Sequence, residues 1–300
     1  MFADLKNDFV FRRIFASHPD LTTALLNDLL DRRGDDTIVS LSLLAPEQAP
    51  LVAGSNLSVL DLKARDQGGR TFVVEMQLLH VSGFLNRVVY NACKAYVAPL
   101  ALAGQYTALT DVIAVRLCDF VLWPNGEKER PDVPLVSRWS MRERVSGRDD
   151  LLQVQYAFVE LPKVAPSPPH AKPAETWAWL FRFGKTLDAV PAGLSEPQRS
   201  ALALAEEATF TLAESEAYRR ASDEIEQARQ LAEDSLRRGL REGEEKGLDK
   251  GRREAIFDLA DVFGLGVTDA QRARLAELSA AALDEVRAVV RSTRAWPEGW

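Results

Sequence analysis

The stretch Ser58-Val59-Leu60-Asp61-Leu62-Lys63-Ala64-Arg65, followed by Asp66-Gln67-Gly68-Gly69 and then Arg70-Thr71-Phe72-Val73-Val74-Glu75-Met76-Gln77, reads as a β-hairpin. Both arms are short and rich in Val, Leu, Phe and Thr, and the segment between them tolerates positive φ. A carboxylate inside a run such as Val73-Val74-Glu75-Met76 is costly to bury unless something pairs with it, and a bound cation is one such partner. Side chains alternate faces along a strand, so Glu75 shares a face with Gln77, and Asp61 shares one with Lys63. With a three-residue loop and Asp66 opposite Arg70, Asp61 falls directly opposite Glu75, their Cβ atoms ~5 Å apart. Two carboxylates so placed make half of a site for a hard cation.

Other stretches stand around this hairpin in a specific order. Lys6-Asn7-Asp8-Phe9-Val10-Phe11-Arg12-Arg13-Ile14-Phe15 precedes it, and Phe84-Leu85-Asn86-Arg87-Val88-Val89-Tyr90 follows. Gly104-Gln105-Tyr106 then leads into an apolar run, and Val154-Gln155-Tyr156-Ala157-Phe158-Val159-Glu160-Leu161-Pro162-Lys163 comes later. In these motifs the chain resembles the PD-(D/E)XK nuclease superfamily, and within it the branch of recombination-promoting nucleases and transposases. The likeness covers most of the chain, with Arg12 standing where the family usually has Lys.

The resemblance implies an α/β fold: a restriction-endonuclease-like core with helices flanking a central mixed β-sheet, followed by a helical C-terminal extension. It implies a metal-dependent DNA endonuclease that hydrolyses phosphodiester bonds, with recombination, transposition or defence against mobile DNA as its settings. Asp61, Glu75 and the backbone carbonyl of Met76 are then the expected ligands of Mg²⁺, for which Mn²⁺ substitutes. Asp8 joins Asp61, Glu75 and Gln77 as a candidate catalytic residue, and Lys63, Arg87, Tyr90 and Arg12 are candidate DNA contacts. Gln77 departs from the superfamily, whose third signature residue is usually Lys: an amide brings dipoles to a developing negative charge but no net charge. Lys63, two residues past Asp61, supplies a displaced charge if it faces the site. The departure keeps a second reading open, a catalytically inactive nuclease fold that binds DNA or another partner. A third is structural, with the hairpin acids paired to Arg87 or Lys94, so that removing one partner costs ~3 kcal/mol or more.

Composition sets outer bounds. Hydrophobic residues at 46% and charged residues at 27% describe an ordinary globular chain, and the net charge of −7 argues against a protein that coats nucleic acid non-specifically. A local basic rim remains compatible with it, from Arg12, Arg13, Arg65, Arg70, Arg87 and Lys94. No apolar run reaches membrane-spanning length, and the opening Met1-Phe2-Ala3-Asp4-Leu5-Lys6 lacks an export pattern, so a cytoplasmic location without membrane contact is expected. Cys93 and Cys118 have no metal-binding spacing and read as buried structural cysteines.

Along the chain, Asn7 caps a first helix with Asp8 in its first turn, a role that competes evenly with metal binding for Asp8. Further helices are expected from Leu21 to Leu30 and from Phe84 to Ala103, and strands over Ile38 to Leu44, Asp111 to Cys118 and Gln153 to Glu160, with a short one near Trp139. The expected organisation is a nuclease-like core over 1–165, a proline-rich linker over 166–174, docking helices over 175–220, and a charged extension over 221–300. That extension carries Gly239, Gly243, Gly247 and Gly251 at a four-residue period. It reads equally as a solvated tether or as a stripe for self-association, and a homodimer through the C-terminal helices is one expectation. A last helix, Asp269 to Thr293, has apolar spacing suited to a partner copy or to the preceding turn.

Overall fold

The computed structural model describes residues 1–48, 58–100, 104–127, 130–167 and 172–300. Among these, a six-stranded mixed sheet is built from β1 (Leu41–Leu44), β4 (Leu62–Asp66), β5 (Thr71–Gln77), β6 (Val112–Cys118), β7 (Val136–Met141) and β8 (Leu151–Glu160), in the order β1-β4-β5-β6-β8-β7. The β5–β6 and β6–β8 pairs are parallel and the others antiparallel. All seven residues of β6 are buried, as a near-continuous apolar run in the middle of a parallel arrangement should be. The short strands β2 (Glu47–Gln48) and β3 (Ser58–Val59) form a separate antiparallel pair.

Strand alternation divides the sheet into two buried faces. Phe72, Val74, Ile113, Val115, Leu117, Ala157 and Val159 pack with Phe11, Ile14 and Phe15 of α1 (Asp8–Phe15) and with Leu25, Leu26 and Leu29 of α2 (Pro19–Leu30). On the other face Val73, Val112, Ala114 and Val154 meet Ala92 and Ala95 of α3 (Phe84–Val97). Asn7 caps α1 as expected, its Oδ1 accepting from the Phe9 N–H at 3.0 Å. Helix α3 ends at Val97 where a helix through Ala103 was expected; residues 101–103 lie outside the described ones.

The proline-rich stretch yields a helix start. Pro168 to Ala171 lie outside the described residues, and Pro173 begins α4 (Pro173–Phe183), in a position where the missing N–H breaks no helical bond. Trp177 is fully buried, donates Nε1 to Asp28 Oδ2 at 2.9 Å, and packs edge-on to Phe15. With α5 (Glu196–Leu204), α4 therefore completes the same core that α1 and α2 build.

The chain divides into two compact units, residues 1–225 and 226–300. One helix, α6 (Leu212–Val262), runs through the boundary, so the glycine-punctuated segment is helical. Its first turns belong to the first unit: Glu214 pairs with Arg13 and Tyr218 Oη accepts from the Asp4 N–H. In the second unit the expected single helix Asp269 to Thr293 is two, α7 (Asp269–Glu277) and α8 (Ala280–Thr293). Leu278 is extended and Ser279 caps α8 by accepting from Ala282, which stops one helix and starts the next. Leu275, Leu283, Val286 and Val290 then pack with Ile256, the inward-folding alternative for this segment. Cys118 is buried, which pushes its thiol up to about 12, whereas Cys93 is exposed, against the expectation that both are buried.

Candidate active site

The hairpin register is the expected one: Leu62 faces Val74, Lys63 faces Val73, and the Asp66 N–H donates to the Arg70 carbonyl at 3.0 Å, leaving a three-residue loop. Gly69 takes φ +83° in that loop. The arm expected to run unbroken from Ser58 to Arg65 is, however, interrupted at Leu60 and Asp61. In a continued ladder Met76 would pair with Leu60; instead the Leu60 N–H turns to the Pro46 carbonyl, and the Met76 N–H is taken by Asp61 Oδ2 at 2.7 Å. The break thus exchanges a backbone bond for a side-chain one and fixes the Asp61 carboxylate at the end of the ladder.

The paired register stops at Leu62 and Val74, one residue short of Asp61 and Glu75, and the two carboxylates are close enough there for the charge of Glu75 to act on Asp61. Their side chains are each 12% exposed. Gln77 uses its carbonyl toward β6, where it accepts from Asp119, so the polar groups of its neighbour Met76 point to the opposite edge, toward Asp61. Asp61, Glu75 and the Met76 backbone thus lie near one another where the β4–β5 pairing ends.

Asp8 joins from α1. Arg12 Nη2 lies 3.4 Å from Asp8 Oδ2 and 3.3 Å from Asp61 Oδ1, bridging the two carboxylates. Burial first, then the charges of Asp8 and Glu75, push Asp61 up to about 7 against the pull of the Met76 N–H. Acids crowded in this way favour either a shared proton or a cation.

Gln77 Oε1 accepts from Arg87 Nη2, and its Nε2 donates to the Leu79 carbonyl at 3.0 Å, so its amide is anchored on both sides. Arg87 and Tyr90 are exposed on α3. Lys63 is half-buried on the face that carries Glu75, its ammonium lowered by burial and by Arg65. The rim expected from six basic residues contracts: Lys94 is buried, Arg13 is held by Glu214, and Arg70 pairs with Asp66 and Asp36.

Two residues of the site have no counterpart in the sequence reading. Arg116 stands beside Glu75 in the β5–β6 register, is 0% exposed, and brings Nη2 to 3.3 Å from Glu75 Oε1. Asn91 of α3 donates Nδ2 to the same oxygen at 3.0 Å. The signal for Arg116 was present as one guanidinium in the apolar run Val112-Ile113-Ala114-Val115-Arg116-Leu117-Cys118; recognising it required the strand register. Glu160, quoted for its motif, is fully buried and accepts from the Leu122 and Trp123 N–H groups and from Lys163, which makes it the anchor of the loop after β6.

Among the described residues no three His, Cys, Asp or Glu side chains form a ready-made metal cage. Two carboxylates and a backbone carbonyl nevertheless fit Mg²⁺, which takes oxygen ligands and retains several waters. The crowding that pushes Asp61 up is what such an ion would relieve. No helix among the described residues is long and apolar enough to cross a membrane.

The chain matches no curated protein and no solved structure. The family model for PD-(D/E)XK nuclease family transposases matches residues 5–233, which takes in α1, the whole mixed sheet and the carboxylate pair. On that coverage, the chain belongs to the PD-(D/E)XK nuclease family transposases.

Proposed function

We propose that the protein is a Mg²⁺-dependent DNA endonuclease of a Glu-x-Gln type that hydrolyses phosphodiester bonds. The observation that carries the reading is that Asp61 and Glu75 stand where the β4–β5 pairing ends, close enough for their charges to interact, with Asp61 locked onto the Met76 N–H. Asp61, Glu75 and the Met76 carbonyl would hold the ion, which polarises the scissile phosphate and makes water a better nucleophile. Asn91 fixes the Glu75 carboxylate, and Asp8 orients water at the outer edge of the site. Gln77, anchored by Arg87, presents an amide dipole to the phosphate, and Arg87, Tyr90, Lys63 and Arg12 contact the DNA backbone. Recombination, transposition and defence against mobile DNA are the settings such an activity fits, in the cytoplasm.

One observation favours an inactive DNA-binding fold: the third signature position is an amide engaged by Arg87 and Leu79, where an ammonium would bring charge. Plasmid nicking separates the two. Purified wild type is expected to nick supercoiled DNA with Mg²⁺ or Mn²⁺ and not with EDTA, and a folded Asp61→Ala variant is expected to lose nicking while retaining DNA binding. Absence of nicking by wild type with either ion would favour the inactive fold.

A further inference from the structure

The acids of the site already face two fixed positive charges. Arg116 is 0% exposed, and among its donors only Nη1 has a hydrogen-bond partner, the Val115 carbonyl at 3.4 Å. Its Nε and Nη2 have none, although Nη2 lies 3.3 Å from Glu75 Oε1. Burying a guanidinium with unsatisfied donors is costly, and an apolar side chain would fill the same strand position without that cost. Arg12 repeats the theme on the other carboxylate, its Nη2 between Asp8 and Asp61 and its Nε buried without a partner. Asp8, Asp61 and Glu75 therefore meet two guanidinium groups.

We propose that Arg116 and Arg12 are resident counter-cations of the site, holding Glu75 and Asp61 in place of a divalent ion and competing with that ion for them. The proposal rests on the reading that Asp61 and Glu75 are cation ligands. A positive charge a few ångströms from a ligand oxygen repels an incoming dication, most strongly where solvent is excluded. Arg116 should therefore oppose binding more than Arg12, whose side chain is 40% exposed and screened. Arg116 thus supplies charge that Gln77 does not, as a positioning residue acting through Glu75. The Asn91 bond to Glu75 keeps that carboxylate oriented when the guanidinium is removed.

The test is titration of the full-length, metal-free protein with Mn²⁺ alone, by isothermal titration calorimetry, with thermal melts in EDTA alongside. Arg116→Met leaves the nearly buried Glu75 without its counter-charge and so is expected to melt lower in EDTA, yet bind Mn²⁺ ~10-fold tighter or more, and Arg116→Lys is expected to stay near wild type. Arg12→Gln, at a half-exposed side chain, is expected to tighten Mn²⁺ binding ~3-fold or more, and less so at high salt. Asp61→Ala is the control for the underlying reading and should abolish binding. Unchanged or weaker Mn²⁺ affinity in both arginine variants, with binding still lost in Asp61→Ala, overturns the counter-cation role and leaves the ligand assignment intact. Mn²⁺ binding that survives in folded Asp61→Ala overturns the ligand assignment and the proposal with it.

Discussion

Asp61 carries the most consequential electrostatics in the protein. Its carboxyl is pushed up to about 7, chiefly by burial and then by Asp8 and Glu75. Ionising it costs more in the folded chain than in the unfolded one. The metal-free protein is thus expected to lose stability as pH rises from ~4 to about 7, and to lose no more from this group above that. Asp61→Asn should flatten this dependence and, in EDTA at pH 8, stabilise the fold by ~2 kcal/mol or more, as chemical denaturation would show. Nicking should follow the opposite course and rise through the same pH range, because a cation needs the ionised carboxylate. Wild-type denaturation midpoints that are flat in EDTA between pH 4 and 8 would contradict the first expectation.

Two short elements hold the site in place. The β4–β5 loop relies on Gly69 at φ +83°, a conformation that a side chain strains, and a Cβ there would touch Thr110 Cγ2 at 3.5 Å. Gly69→Ala is expected to cost ~1 kcal/mol and, by disturbing the hairpin, to weaken Mn²⁺ binding as well as lower the melting temperature. The loop after β6 depends on Glu160, which satisfies two backbone N–H groups and the nearly buried Lys163 ammonium. Glu160→Ala leaves both donors unpaired and removes the counter-charge of the Lys163 ammonium, which keeps only the Val133 carbonyl, so a loss of ~3 kcal/mol or more is expected in urea denaturation. Val154 to Lys163 was readable as a motif, but its work as a loop anchor was not, because the two backbone N–H groups that Glu160 accepts from lie 37 and 38 residues away.

Among the described elements the longest is α6, and much of its length is exposed. In α6, Leu231, Leu236, Leu240 and Leu248 are exposed, and a Cβ added at Gly239, Gly243, Gly247 or Gly251 would meet nothing within 4 Å. Each Gly→Ala there is expected to add ~1 kcal/mol of helix stability, visible as stronger amide protection between Leu231 and Gly251 in hydrogen exchange. Self-association through these helices, the alternative expected from the sequence, predicts a different outcome: alanines in a close-packed stripe would weaken association in sedimentation, while a solvated helix would only gain protection.

The pattern of apolar residues and turn chemistry was local information. It determined the hairpin, the cap at Asn7 and strands over Asp111 to Cys118 and Gln153 to Glu160, found as Val112–Cys118 and Leu151–Glu160, and it tied the hairpin register to loop length, which the structure sets at three residues. Other features depended on contacts between residues far apart in sequence: the break at Leu60, the Arg12 bridge and the burial of Lys94. Arg116 shows the physical reason most plainly. One arginine in an apolar strand has no stated partner until the parallel β5–β6 register sets it beside Glu75, and only tertiary packing removes the water that would otherwise separate their charges.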